Sequence, residues 1–364
     1  MWMKNKTLIL LFILFISGSA LAQDPVFTSF MHNPLYYNPA TPGIKSGNEF
    51  HLNYREQWPG IPGGNRAFSY SSTHVFCSNF SLGLIANSAH EGESKMTTNS
   101  MGLSVAVPIR IADRLRLSTG ITTAYGQKRI DWNELDFDDE YDKLYGKIYN
   151  TGFPFPGNSR KNYGDVSLGM ALQGTSKRKP FKPQLTGVVG AAYHHAAVVP
   201  DPNFIGSNVN AVPLKQVYHM NLWILYGHKK KQGVSPALMY EKQGPMETFN
   251  FSLSYLIDQF YALGGFRNRN YKLATNNYES FLLGFGFISD INPSNRSSFK
   301  FGYSYDFTLS KLAEGSFGTH EIFIVYNLKG CNSLASLFSG DKYNRVRKPD
   351  KECEQFQFDG RLYW

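Results

Sequence analysis

The sequence has little charge and no long apolar segment beyond its first 22 residues. Charged residues make up 18% of the 364 residues, against about 25% in a typical soluble domain. After residue 22 no run of 18 apolar residues occurs, which excludes transmembrane helices from the rest of the chain. Aromatic residues, in contrast, reach 15%, and 33 glycines accompany them. This composition is typical of an outer-membrane β-barrel, in which only every second residue faces lipid.

Common catalytic and cofactor motifs are also missing. The chain contains no G-x-S-x-G nucleophile motif, no G-x-x-x-x-G-K-[ST] phosphate loop and no zinc-ligand spacing. No helix-turn-helix pattern accompanies the formal net charge of +9. We therefore expect no catalytic residue, no cofactor, no metal, no nucleic acid and no small-molecule substrate.

Two groups of residues come closest to a metal site. His194 and His195 are adjacent, with His219 further along, but adjacent residues of a strand point to opposite faces and cannot bind one ion together. The stretch 131–142 holds 7 acidic residues in 12, yet the glycine spacing of an EF-hand loop is absent. We interpret this stretch as a solvated or partner-facing loop.

The N-terminus has the pattern of a signal peptide. A short basic region precedes the apolar stretch 8–16, and Ala20 and Ala22 fit the A-x-A cleavage pattern. The alternative, an uncleaved anchor helix, is disfavoured because nine apolar residues are too few to span a bilayer. We predict that residues 1–22 are removed and that the chain is exported to the outer membrane.

Alternation of apolar and polar residues dominates the remaining sequence and predicts an all-β fold, a 14-stranded antiparallel transmembrane barrel. In the clearest stretch, Phe299, Phe301, Tyr303, Tyr305, Phe307 and Leu309 alternate with Lys300, Gly302, Ser304, Asp306 and Thr308. The predicted strands are 48–56, 66–76, 80–90, 97–107, 115–125, 165–173, 184–194, 214–226, 233–242, 248–257, 260–269, 278–289, 298–309 and 319–328. Their polar face is small and glycine-rich, which suits a wet lumen. A large soluble β-sandwich is the alternative.

Connection lengths predict the orientation. Short connections follow most even-numbered strands, whereas two long ones, 126–164 and 195–213, follow odd-numbered strands. Because barrels have short periplasmic turns and longer extracellular loops, both ends of the mature chain are expected in the periplasm.

This gives four segments. They are a signal peptide (1–22), a proline-rich periplasmic or plug segment (23–47), the barrel (48–328) and a periplasmic C-terminal extension (329–364). Fourteen strands enclose more space than their own side chains fill. Residues 23–47, the loop 126–164 or water must occupy that space.

Four sequence blocks resemble the PorP/SprF family of Bacteroidetes outer-membrane proteins. The first is DPVFTSFMHNPLYYNPA at 24–40, the second YREQWPGI at 54–61, the third LGLIANSAHEG at 82–92, and the last combines YDFTLS at 305–310 with GTHEI at 318–322. The family motif positions are Asn33, Pro34, Tyr37, Asn38, Pro39, Arg55, Gln57, Trp58, Tyr305, Asp306, His320 and Glu321.

The resemblance implies a non-enzymatic component of type IX secretion and gliding motility. Such a component supports export or surface anchoring of a partner such as a secreted adhesin. Alternatively, it links the outer membrane to the periplasmic secretion ring and its peptidoglycan-associated parts. Two other hypotheses are a porin or hydrophobic-nutrient channel, and an outer-membrane enzyme with a Ser/His/acid cluster at the barrel mouth.

The chain departs from the family pattern in its last 36 residues, 329–364. This extension is either an unstructured basic tail or a docking segment for a periplasmic partner, with aromatic and arginine residues as anchors. The docking residues would be Arg345, Arg347, Lys348, Phe356, Phe358, Tyr363 and Trp364. A Cys331–Cys353 disulfide would stabilise it by about 3 kcal/mol; the alternatives are two free thiols, or a bridge from one of them to Cys77.

Overall fold

The computed structural model describes residues 24–44, 48–76, 80–92, 96–132, 135–142, 144–153, 159–177, 183–199, 213–226, 232–269, 278–292, 297–309 and 313–328. The predicted signal peptide, the C-terminal extension and the three cysteines lie outside these residues, so the predictions on them stay predictions. Among the residues described, no helix is long and apolar enough to cross a membrane.

Fourteen antiparallel strands form a closed barrel, which confirms the predicted fold class. They are β1 (Asn48–Gln57), β2 (Asn65–Phe76), β3 (Phe80–Glu91), β4 (Met96–Ala112), β5 (Leu115–Arg129), β8 (Arg160–Thr175), β9 (Gln184–Val199), β10 (Lys215–Tyr226), β11 (Gln232–Gln243), β12 (Met246–Ile257), β13 (Phe260–Asn268), β14 (Tyr278–Asn292), β15 (Ser297–Thr308) and β16 (Thr319–Leu328). Between β5 and β8, β6 (Tyr141–Asp142) and β7 (Gly146–Lys147) form a small separate sheet. The barrel closes where β1 pairs with β16, from Asn48 opposite Leu328 to Gln57 opposite Thr319.

Several strands are longer than the alternation alone predicted. β4 continues through Pro108, where a connection was expected, because Ile109 and Ile111 keep the outward apolar alternation. Pro108 lies opposite Ser118 of β5. The long connections are correspondingly shorter than predicted, since β8 already begins at Arg160 and β9 ends only at Val199.

The two faces of the wall differ as alternation requires. On β14, Phe281, Leu283 and Phe285 are 50–61% exposed on the outside, where lipid would cover them. Ser280 of β14 and Asn250 of β12 point inward and are buried. Apolar residues thus face out and small polar residues face in, the reverse of a soluble domain.

The two barrel ends are distinguished by their connections. We call the end with connections 77–79, 113–114, 176–183, 227–231, 258–259 and 293–296 the short-turn end. The opposite, long-loop end has connections 58–64, 92–95, 130–159, 200–214, 244–245, 269–277 and 309–318. β1 begins and β16 ends at the short-turn end.

Candidate functional site

Residues 24–44, which we call the insert, lie inside the barrel. Phe27, Leu35 and Tyr37 are only 1–2% exposed. The insert is built from three single helical turns, Phe30–His32, Pro34–Tyr37 and Thr41–Gly43. Proline favours such short turns, since it fits the first helical position but cannot continue a strand. The insert therefore presents side chains in many directions to the surrounding wall.

The centre of the insert is held by neutral hydrogen bonds from its two motif asparagines. Asn33 donates from Nδ2 to the Ser69 hydroxyl at 2.9 Å and accepts from the Ser71 hydroxyl at 3.2 Å, both on β2. Asn38 donates to the Met170 carbonyl of β8 at 2.9 Å, while its side-chain oxygen accepts from the Ala40 N–H at 2.9 Å. The two residues thus connect the insert to different parts of the wall.

Backbone carbonyls and inward glycines complete these neutral contacts. The Ser104 hydroxyl donates to the Pro39 carbonyl at 3.1 Å, and the Ser118 hydroxyl to the Ala40 carbonyl at 2.7 Å. A Cβ atom at Gly120 would come within 2.2 Å of the Pro39 carbonyl oxygen. Only glycine allows the insert to approach β5 this closely.

Apolar side chains of the insert meet apolar patches on the inner wall. Phe27, Phe30 and Tyr37 pack with Val217 and Met239. Nearer the short-turn end, the remaining apolar cluster contains Ile44, Trp223, Phe323 and Val325. The expectation that the inner face suits a wet lumen is therefore wrong for this region, because the insert packs against inward apolar residues.

Three motif residues, one from the second sequence block and two from the last, meet in what we call the charged cluster. Arg55 of β1 lies with Nη1 3.1 Å from Asp306 Oδ2 of β15 and 3.4 Å from Glu321 Oε2 of β16. Arg267 of β13 adds a second cation, with Nη1 3.1 Å from the same Asp306 oxygen. All four side chains are at most 5% exposed. Two cations thus offset two anions in a buried site.

The charged cluster binds the insert through hydrogen bonds from Thr28 and Ser29. The Thr28 hydroxyl donates to Asp306 at 2.7 Å, and the Thr28 N–H donates to Glu321 Oε2 at 2.6 Å. The Ser29 N–H donates to the other Glu321 oxygen at 2.9 Å. Hydrogen bonds to ionised acceptors are stronger than neutral ones, so this end of the insert is firmly held.

Asp24, the first residue described, is held by what we call the anchor. His195 Nε2 lies 2.9 Å from the Asp24 carboxylate, and Lys215 Nζ lies 3.6 Å from it. The Asp24 N–H donates to the Gln243 side chain at 3.1 Å. The other His195 nitrogen is 2.9 Å from Asp165. With both carboxyls ionised, His195 donates to them from its two ring nitrogens.

A backbone irregularity makes the anchor possible. His195 has φ 59°, and the pairing of β8 with β9 shifts register between Val166 and Leu168. Such a bulge redirects side chains. His194 also reaches the insert, with Nε2 3.0 Å from the Tyr37 carbonyl oxygen. The expectation that His194 and His195 point to opposite faces is therefore wrong, because it assumed a regular strand.

Other predicted residues lie apart from the charged cluster. Gln57 and Trp58 line the barrel mouth, where the Trp58 N–H donates to the Gly318 carbonyl at 2.9 Å. Tyr305 and His320 lie on the outer face, where their rings make an edge contact at 5.0 Å. Pro34 begins the central helical turn. Thr28, Arg267 and the anchor residues were not selected as site residues from the sequence. For Thr28 the available signal was its place in the first family block, and for Arg267 and Lys215 it was a charged residue at an inward position of a strand.

Three cavities border the insert, the smallest of them, of about 50 Å³, beside Ile44, Trp223 and Val325. At the long-loop end a cavity of about 840 Å³, which we call the vestibule, has the first insert residues on its surface, together with Trp58, Arg66, His90 and Arg269. A smaller cavity of about 130 Å³ lies between the insert and the wall from β2 to β5 and β8, beside Lys128 and Tyr163.

The described parts of the connection 130–159, residues 130–132, 135–142, 144–153 and 159, contact one another. Phe137 and Phe153 stack with ring centres 5.2 Å apart. Asp139 accepts from the Gly152 N–H at 2.7 Å, and Asp142 accepts from the Leu144 N–H at 2.8 Å. These hydrogen bonds lower the pKa of both carboxyls, the Gly152 N–H contributing most for Asp139 and the Leu144 N–H for Asp142. Part of the acidic stretch therefore organises the loop itself.

Within the described part of the chain, no group of three or more His, Cys, Asp or Glu side chains could hold a metal ion. Glu140 instead pairs with Lys147, the Oε2 to Nζ distance being 2.9 Å.

The family model of the type IX secretion system membrane protein PorP/SprF matches residues 19–326. The chain belongs to the PorP/SprF family. It is therefore a membrane barrel associated with type IX secretion, and its apolar outer face is that of an outer-membrane protein. No curated protein matches the sequence.

Solved structures resemble this PorP/SprF protein in fold only. A FadL homologue of Pseudomonas aeruginosa is 12% identical, with 85% of this chain and 94% of that chain covered and a TM-score of 0.38. The P. putida toluene transporter TodX is 8% identical, with 84% and 95% covered and a TM-score of 0.41. The Ralstonia pickettii toluene transporter TbuX is 12% identical, with 84% and 94% covered and a TM-score of 0.40.

Proposed function

We propose that this protein is a sealed, non-enzymatic outer-membrane component of type IX secretion that supports export or surface anchoring of a secreted partner such as an adhesin. The observation that carries the proposal is the insert, which occupies the lumen. It is fixed by hydrogen bonds of Thr28 and Asn33 to the wall and by the ion pairs of Asp24 with the anchor. A lumen built around a fixed segment suits a protein that binds partners better than one that passes solutes.

The proposal includes an orientation. Following the general rule for barrels, the long-loop end faces outward and the short-turn end faces the periplasm. The vestibule and the folded loop 130–159 would then face the secreted partner. The C-terminal extension, which follows Leu328 at the short-turn end, would reach the periplasmic ring components through Arg345 to Lys348 and Phe356 to Trp364.

A porin or hydrophobic-nutrient channel is the weaker alternative. The cavity beside the insert, of about 130 Å³, is smaller than the roughly 300–1,000 Å³ of pockets for drug-sized ligands. The vestibule, of about 840 Å³, could hold such a ligand, but the first insert residues form part of its surface. A continuous path would require the insert to leave, which would break the charged cluster and the anchor together.

Deleting the gene tests the proposal. We expect one or a few surface proteins to disappear from the cell surface and to accumulate in the periplasm, measured by surface proteomics with labelled standards. The wild-type gene should restore them. Affinity purification of the tagged barrel should then recover the same proteins. An unchanged surface proteome, together with reduced uptake of small apolar compounds, would favour the channel instead.

A further inference from the structure

The two ends of the described chain lie at opposite ends of the barrel. Leu328, the last residue of β16, is at the short-turn end. Asp24 contacts Gln243, the last residue of β11, and Lys215, the first residue of β10, both at the long-loop end. This differs from the expectation that both ends of the mature chain lie on the short-turn side.

The insert runs from the short-turn end of the barrel to the long-loop end. Its residue Ile44 packs near Val325, close to the short-turn end, and β1 begins there at Asn48. Thr28 bonds Asp306 and Glu321, which lie two residues from the long-loop ends of β15 and β16. Asp24 lies further towards the same end, on the surface of the vestibule. The insert thus follows the full length of the lumen.

We infer that the insert carries the start of the mature chain across the outer membrane inside the barrel and presents it at the cell surface, where it forms part of the contact site for the secreted partner. The partner contact rests on the proposed function; the crossing itself does not. If cleavage follows Ala22, the new N-terminus lies one residue from Asp24.

The anchor gives this displayed end a fixed position. A free chain end normally frays, yet Asp24 is bound through its carboxylate by His195 and Lys215 and through its N–H by Gln243. Lys215 Nζ also lies 3.5 Å from Glu241 Oε1, and its side chain is 5% exposed. A polypeptide entering the vestibule would therefore meet a rigid surface made jointly by the insert and the strand ends.

Cysteine labelling on intact cells tests the crossing. In a background with Cys77, Cys331 and Cys353 changed to Ser, Pro25→Cys places a thiol on the vestibule surface. Leu144→Cys, at an 81% exposed position of the loop 130–159, is the surface control. Asp258→Cys, in the turn 258–259, is the short-turn control.

With a small membrane-impermeant maleimide we expect Pro25→Cys and Leu144→Cys to be labelled on intact cells at least about tenfold more than Asp258→Cys. Labelling of Pro25→Cys only after permeabilisation, in parallel with Asp258→Cys, would overturn the inference. A short epitope tag inserted between Gln23 and Asp24 gives a second measurement. Antibody binding to intact cells supports the crossing, and binding only to permeabilised cells contradicts it.

The partner contact is tested separately, in cells that display the partner identified by the gene deletion. We expect the partner to protect Pro25→Cys from the maleimide at least about fivefold, and its removal to restore labelling. Equal labelling with and without the partner would contradict the contact while leaving the crossing and the export role intact.

Discussion

The two halves of the insert are held by different chemistry. From Asn33 to Ala40 the hydrogen bonds run mostly to hydroxyls and carbonyls of the wall, together with contacts to two histidine rings, His194 and His219. From Asp24 to Ser29 the contacts are to ionised groups, namely the anchor and the charged cluster. Neutral contacts depend on close fit, whereas the ionic ones depend on each charge keeping its partner in a buried site. We therefore expect the loss of a single charged side chain to detach residues 24–29 from the wall more readily than residues 33–40.

Removing both halves should have the largest effect. Deleting residues 25–45 leaves the pairing of β1 with β2 and β16 intact, so the barrel should still close but with an open lumen. We expect single-channel conductance in planar bilayers to rise by an order of magnitude or more. Deleting residues 144–149, at the tip of the loop 130–159, serves as the control and should leave conductance unchanged. An equally low conductance in both variants would show that the insert does not seal the lumen.

Removing a charge from the cluster that binds residues 24–29 should have the next largest effect. Arg267→Ala leaves Asp306 short of a partner in a buried site, and such losses cost about 3–5 kcal/mol. The free energy of unfolding in urea, measured in liposomes, checks this value. Arg66→Ala removes a cation that is 63% exposed and pairs with Glu56; exposed pairs contribute about 0–1 kcal/mol. Equal losses in the two variants would contradict the assignment of the charged cluster.

Removing a neutral hydrogen-bonding side chain from residues 33–40 should lower the free energy of unfolding by less. Asn38→Ala removes the hydrogen bonds to Met170 and Ala40 and leaves buried groups unsatisfied, at a cost of about 1–3 kcal/mol. Gln127→Ala, which removes an exposed hydrogen bond to Asn162, is the matched control and should cost under about 0.5 kcal/mol. A larger loss from Asn38→Ala than from Arg267→Ala would reverse the comparison.

The smallest effect concerns exposed charges in the loop 130–159. The pKa values of Asp139 and Asp142 are lowered in the folded loop. Their contribution to the stability of the loop is therefore complete above the unfolded pKa of about 3.9. This stability is lost as the pH falls through the lower pKa values of the folded loop. We expect hydrogen exchange at the Leu144 and Gly152 amides to be unchanged between pH 8 and pH 5, after correction for intrinsic rates, and protection to fall below about pH 4. Loss of protection at neutral pH in Asp139→Asn would show how much of the order this one carboxylate supplies. Full protection of the Gly152 amide in that variant at neutral pH would contradict its role.

The barrel could be predicted from the sequence because its signal is local. Each strand repeats the two-residue period, and outward apolar residues such as those of β14 reveal the face that meets lipid. Pairing of neighbouring strands then follows from chain order. Only the strand ends were missed, as at Pro108, because hydrogen bonding to β5 continues where the residue type suggests a turn.

The charged cluster could be predicted only in part. Arg55, Asp306 and Glu321 stood out through the family motifs, and closure of the barrel brings Arg55 of β1 beside Glu321 of β16. Nothing local identified Arg267 as their neighbour, because it belongs to no motif and its strand, β13, is separated from β15 by β14. His195 was misread because a bulge with positive φ is invisible to alternation. The path of the insert was also missed, because it is determined by contacts hundreds of residues apart, such as Thr28 with Glu321.

The closure between β1 and β16 has a consequence for how the protein is assembled. The seam joins the first and last strands of the chain, so it can form only once the last strand is available. The insert precedes β1 and bonds both sides of the seam, through Arg55 on one strand and Glu321 on the other. It cannot easily be threaded through a finished cylinder, because its aromatic side chains pack on several walls. These contacts favour an order in which the sheet forms around the insert. The insert then acts as an internal template until β16 pairs with β1 and closes the barrel.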